Sequence, residues 1–245
     1  MYGRQALEWL PIFRSVERRR QAIQAIRTSR RLRRRGFEAL GSARYSRPEI
    51  KGLEKYLDFR GGYYVEAGAN DGFRQSNTYY LERFKGWSGV LIEPIPELYE
   101  RCVRERPRSQ CFNCALVEPG SADTTVMRFG DLMSHVSNSD EPSASVDAAN
   151  WGWSRAYDVV VPTRTLSQVL EEAPAPQWDF LSLDLEGHEE QALAGLDFSR
   201  HLPRYILVEA FSMQERLPRL ERIFDGRYDL VERLTSQDLL FRRIR

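Results

Sequence analysis

The sequence has no apolar run near the roughly 18 to 20 residues that a membrane-spanning helix needs, and no internal repeat of the kind that builds solenoids. It also lacks a cysteine framework: three cysteines are an odd number, and the Cys111/Cys114 pair has no second CxxC or histidine pair to complete a zinc site. Disulfide scaffolds are excluded, and a reducing, cytoplasmic setting is the expectation. The apolar stretch around Leu10, Ile12 and Phe13 is short, broken by Pro11 and followed by arginines, so it does not read as a signal peptide. What is present is ordinary: 42% hydrophobic and 29% charged residues in 245 positions, enough to bury one substantial core.

A net charge of +1 conceals a division. Residues 1–35 carry 11 arginines against Glu8 and Glu17, a net +9, so the remainder carries −8. An acidic body disfavours nucleic acid as a partner. In the basic stretch Ile12, Val16, Ile23 and Ile26 recur near a 3.6-residue period, which predicts a helical arm over 1–45. Residues 1–40 would pack on the main domain or make peripheral contact with the inner face of an anionic membrane. The main domain is expected over 46–245.

Within that domain strand-like and helix-like segments alternate. Tyr63–Ala67 is β-rich and enters the glycine turn Gly68–Gly72, and Ser76 can cap a helix bearing Tyr80, Leu81 and Phe84. Gly89–Glu93 reads as a second strand with a helix to Arg106 behind it, and Cys111–Val117 as a third. Residues 118–157 read as an irregular, flexible insertion whose 134–150 portion is polar. Val159–Val161, Asp179–Asp184 and Tyr205–Glu209 read as further strands. Thr165 and Gln168 have the capping-box spacing for a helix to Glu172, stopped by Pro174 and Pro176. Tyr228–Leu234 and Leu239–Ile244 are spaced for an antiparallel hairpin. The sum is an α/β domain with a mostly parallel sheet covered on both faces.

Ligands of open α/β sheets sit beyond the carboxyl ends of the strands. The first such end, Glu66-Ala67-Gly68-Ala69-Asn70-Asp71-Gly72, fits ExGxxxG rather than GxGxxG, and an acid before the turn opposes a pyrophosphate. Glu66 suits a cationic amine instead. The second, Glu93, lies 21 residues beyond Gly72, where a carboxylate can accept both hydroxyls of a ribose. An amino-acid-bearing nucleoside such as S-adenosylmethionine satisfies both acids, with Ile95 as an apolar wall for the adenine.

Several blocks in order carry a resemblance: Val65–Gly72, Ser76-Asn77-Thr78 with Leu81-Glu82, Gly86-Trp87-Ser88-Gly89, Ile92-Glu93-Pro94, Val161–Leu166 and Leu181–Glu189. Across about residues 62–212 the chain resembles the FkbM-type family of S-adenosylmethionine-dependent methyltransferases. The resemblance implies a Rossmann-like class I methyltransferase fold, with a mostly parallel seven-stranded sheet and a C-terminal antiparallel hairpin. It also implies S-adenosylmethionine as cofactor, held by Glu66, Gly68, Asn70, Asp71, Gly72, Asn77 and Glu93. The implied reaction is O-methylation of a small molecule, sugar or glycan. Glu66 stands where the family often has Asp.

The fourth strand end concentrates Asp184, Glu186, His188, Glu189 and Glu190. Methyl transfer from a sulfonium needs an aligned acceptor and removal of its proton. Asp184 and Glu186 are therefore expected on the acceptor side, with Asp184 orienting the hydroxyl and His188 as the base. Asp184 and Glu209 also close neighbouring strands and offer two ligands to a hard divalent cation, with no evident third. Trp151 and Trp153 are expected to anchor the insertion or stack on an acceptor, and His135 and His201 to lie on the surface. The rival reading keeps the fold without the reaction: an inactive binding module attached to membrane or nucleic acid through the basic arm.

Overall fold

Period-2 alternation along the strands sends side chains to two opposite cores. The computed structural model describes residues 52–73, 75–130, 133–136, 157–173 and 178–244, the 133–136 stretch by its backbone. Its first half runs α1 (Glu54–Leu57), β1 (Tyr63–Ala67), α2 (Tyr79–Lys85), β2 (Ser88–Ile92), α3 (Pro96–Glu105), β3 (Gln110–Phe112), β4 (Ala115–Leu116), β5 (Thr124–Gly130) and β6 (Met133–Val136). Then follow β7 (Tyr157–Arg164), α4 (Leu166–Glu172), β8 (Phe180–Leu183), α5 (Glu189–Ala194), β9 (Tyr205–Glu209), α6 (Met213–Phe224), β10 (Tyr228–Arg233) and β11 (Asp238–Arg243).

Seven strands form the main sheet in the order β10-β11-β9-β8-β1-β2-β3, with β11 antiparallel to both of its neighbours. Val65, Ile92, Leu181, Ile206 and Phe241 point to one face, where Leu166 and Val169 of α4, Leu193 of α5 and Phe224 of α6 cover them. Tyr64, Leu91, Phe180, Leu207 and Leu240 point to the other, under Leu57 of α1, Leu81 of α2 and Cys102 of α3. Each such side chain contributes about 1.5–3 kcal/mol on full burial. The strand order reverses at β1, which pairs with β2 on one side and β8 on the other, so a crevice opens at their carboxyl ends. This is the Rossmann-like class I methyltransferase arrangement expected from the sequence.

Three expectations are corrected. The third strand is not continuous over 111–117: Asn113 Nδ2 donates to the carbonyl oxygens of Glu93 and Pro94 at 2.8 Å each, and there the chain leaves the main sheet. β3 stays in it and β4 joins a second sheet of order β4-β7-β5-β6. The 118–157 insertion is likewise not irregular at its start, because β5 pairs antiparallel with both β7 and β6. That pairing turns Met127 and Val161 inward onto Ile95 and Leu98 and leaves Val126 and Val160 exposed. His201 is also no surface residue: it is 9% exposed, its ring 5.6 Å from that of Trp178.

Thr165 makes the expected capping box, accepting from Gln168 N at 3.2 Å while Gln168 Oε1 accepts from Thr165 N at 2.8 Å. The arm over 1–45, Trp151, Trp153, Pro174, Pro176 and the 137–150 part of the insertion lie outside the described residues, as does the His135 side chain. Among the described residues no helix is long and apolar enough to cross a membrane.

Candidate active site

At the crevice a cleft of about 560 Å³ is lined by Gly68, Asn70, Gln75, Glu93, Pro94, Leu98, Met127, Asp184, Leu185 and Glu186. The cleft is open to solvent, and polar side chains reach it from just beyond the carboxyl ends of β1, β2 and β8.

Backbone geometry brings them together. Gly68 has φ 82°, and a Cβ there would lie 1.9 Å from Asp184 O. Only glycine lets the β1 turn cross the end of β8 this closely. Asn70, left-handed at φ 51°, donates its N–H to Glu93 Oε2 at 2.8 Å, and Ile95 N donates to Glu93 Oε1 at 2.9 Å. Burial pushes the Glu93 carboxyl up to about 8 against the lowering effect of these two N–H groups, with Asp71 adding to the rise. Each oxygen of Glu93 still has a second lone pair for a ligand donor.

Of the residues predicted to hold the cofactor, Gly68, Asn70 and Glu93 line the cleft; Glu66, Asp71, Gly72 and Asn77 are not among its lining residues. Glu66 is 2% exposed and accepts from Ser76 Oγ at 2.8 Å, Asn77 N at 2.6 Å and Thr78 Oγ1 at 2.6 Å, with Arg106 Nη1 3.6 Å away. Its carboxylate organises the loop between β1 and α2, and the sequence expectation that it grips an amine directly gives way to that geometry. Asp71 Oδ1 accepts from Phe73 N at 3.1 Å, closing the turn locally. Asn77 Nδ2 donates to Ser182 Oγ at 2.8 Å and thereby ties the loop to β8, while Asn77 Oδ1 is buried with no hydrogen-bond partner. Ile95 is fully buried core, and Pro94 and Leu98 take its place as apolar wall.

Beyond β8, Asp184 and Glu186 line the cleft, with Glu186 left-handed at φ 51°. His188 is instead the N-cap of α5 and is not among the lining residues. Glu189, fully buried, accepts from Leu185 N at 2.8 Å and Gly187 N at 3.1 Å and is paired with Arg216 Nη1 at 2.5 Å, so it shapes this loop as Glu66 shapes the first. Carboxylate oxygens of Asp184, Glu186 and Glu209 lie within 4.8 Å of one another, which supplies the third acid that the sequence did not reveal.

Sequence reasoning missed Gln75, Leu98, Met127 and Arg106. Leu98 follows Ile95 at helical spacing and Met127 alternates with Val126 and Arg128, so both had a weak signal; a buried arginine at the end of an amphipathic helix had none.

A family model described as the methyltransferase FkbM domain matches residues 66–230. Among solved structures, a TehB-like S-adenosylmethionine-dependent methyltransferase from Corynebacterium glutamicum is 16% identical over 90% of this chain and 99% of that one, with a TM-score of 0.43. A putative S-adenosylmethionine-dependent methyltransferase from Methanococcus maripaludis is 8% identical over 86% and 91%, at 0.41. The 1,6-didemethyltoxoflavin-N1-methyltransferase of Burkholderia thailandensis, with bound S-adenosylhomocysteine, is 12% identical over 91% and 89%, at 0.38. No curated protein sequence matches.

Proposed function

The chain belongs to the FkbM methyltransferase family, with S-adenosylmethionine as its cofactor, and we propose that it methylates a hydroxyl of a small molecule, sugar or glycan. The residues fit that cofactor. Glu93 offers a carboxylate and Gln75 a carboxamide beside the Gly68 turn, and Pro94, Leu98 and Met127 offer an apolar wall. Bound there, S-adenosylmethionine supplies a methyl group already activated on a sulfonium.

The observation that carries the proposal is a single cleft with Glu93 at the end of β2 and Asp184 and Glu186 beyond the end of β8, separated by the Gly68 crossing. Glu93 binds the ribose diol. Asp184 accepts the proton of the acceptor hydroxyl and Glu186 orients it, while Met127 and Leu98 exclude water from the wall opposite. His188 stands at the N-cap position of α5, outside the cleft lining, and does not receive the proton. Incubating the protein with S-adenosylmethionine and a panel of sugars, glycans and hydroxylated small molecules should give acceptors one methyl heavier by mass spectrometry, with fragmentation placing it on oxygen. Methyl groups found on nitrogen would overturn the hydroxyl assignment.

A further inference from the structure

Arg106 directly follows α3 and is 1% exposed, a burial that arginine tolerates only when paired on every side. Its guanidinium donates to Glu82 Oε2 at 2.8 Å, Tyr64 Oη at 2.6 Å, Thr78 Oγ1 at 2.8 Å, Gly72 O at 3.1 Å and Ser76 Oγ at 3.1 Å, and stands 3.6 Å from Glu66. Two of these partners, Gly72 and Ser76, bound the turn that carries Gln75. That residue lines the cleft with a left-handed backbone, φ 55°, a conformation that a non-glycine residue keeps only where its surroundings impose it. Gly72 is also pressed against the end of α3: a Cβ there would meet Cys102 Cα and Arg106 Cγ, each at 3.0 Å.

We infer that Arg106 is a positioning residue for the cofactor loop: it grips Gly72 and Ser76, neutralises Glu66, and so holds the Gln75 carboxamide against the amino-acid end of S-adenosylmethionine. The inference rests on the cofactor reading above. A carboxamide both donates and accepts, which suits a ligand end bearing a carboxylate and an ammonium. The planar fork of arginine reaches a carbonyl, hydroxyls and two carboxylates together, which the point charge of a lysine does not.

Calorimetry with S-adenosylhomocysteine tests it, with melting curves as a check on folding. Arg106→Lys is expected to weaken binding about tenfold at unchanged stoichiometry, and Gln75→Ala about three- to tenfold. In the Gln75→Ala background, Arg106→Lys should cost less than about threefold more, because the arginine acts through the residue already removed. A merely structural arginine would lower the bindable fraction and leave the affinity of the folded remainder unchanged. Fully additive losses, or an Arg106→Lys protein that binds as tightly as the wild type, overturn the inference. If Arg106→Lys does not fold, Ser76→Ala takes its place in the same cycle, since it removes the hydroxyl that joins Arg106 to the loop. A wild-type protein that does not bind S-adenosylhomocysteine removes the cofactor reading, and this inference with it.

Discussion

Gly68 and Asp184 approach so closely that a Cβ on the first would stand 1.9 Å from the carbonyl oxygen of the second. The turn after β1 and the loop after β8 are thus braced against each other through bare backbone. Gly68→Ala must move one of them and also force a left-handed alanine. Overpacking costs about 1–3 kcal/mol and the backbone about 1–2 more, so melting should fall by roughly 5 to 15 °C, with binding of S-adenosylhomocysteine lost in calorimetry. An alanine variant that melts and binds as the wild type does would refute the bracing.

Glu93 is expected to set the pH dependence of cofactor binding. Burial holds its carboxyl up to about 8, so the free protein carries it mostly protonated at neutral pH. A ribose diol donates to the carboxylate and favours that form, so binding releases a proton below pH 8. Affinity for S-adenosylhomocysteine should therefore rise from pH 6 towards pH 8 and level off above it. Glu93→Gln should flatten this profile, and Glu93→Ala should weaken binding about 10- to 150-fold. A flat wild-type profile would remove Glu93 from the ribose.

Asp184 is expected to matter for turnover more than for cofactor affinity. Losing a general base typically costs ~10²- to 10⁴-fold in rate, so Asp184→Asn should fall in that range while still binding S-adenosylhomocysteine. His188→Ala, at a position outside the cleft lining, should lose less than about tenfold. Chelators should leave the rate unchanged. Loss on chelation, recovery with Mg²⁺, and a Glu209→Gln variant as impaired as Asp184→Asn would instead make Asp184, Glu186 and Glu209 ligands of a cation.

Acid stability should depend on Glu82. Burial raises its pKa, but Arg106 and hydrogen bonds from Ser109 and Tyr64 outweigh this and hold it below its ordinary 4.5. The stability it contributes is therefore present above pH 4.5 and lost as pH falls through the folded value. Glu82→Gln should melt below the wild type at pH 7, and the gap should narrow towards pH 3. A gap of constant size would mean that the charge of Glu82 is not what binds Arg106.

The described cleft residues all fall between Gly68 and Glu186, so a protein lacking residues 1–40 is expected to retain methyl transfer. The arm is proposed to attach the protein to anionic membrane. Co-sedimentation with vesicles containing phosphatidylserine should fall on deletion of the arm and at raised salt, because screening shortens the reach of its arginines. Equal sedimentation with and without the arm would end that assignment.

Local rules were enough for much of this molecule. The short apolar, β-rich runs Tyr63–Ala67 and Tyr205–Glu209, the capping box at Thr165 and the glycine turn after Glu66 act through neighbours in sequence, and β1, β9 and α4 lie where those signals put them. The acids Glu93 and Asp184 were legible because a strand end places its next side chain in the crevice whatever the rest of the fold does. Long-range packing decided the remainder. β5 exists because β7 pairs with it across some thirty residues of chain, and Met127 reaches the cleft only through that pairing. Glu66 and Arg106 are 40 positions apart, and only the folded chain brings their opposite charges into the same dry interior. There, low dielectric and hydrogen-bond demand make the carboxylate a tie for the loop; in sequence it looked like a ligand for an amine.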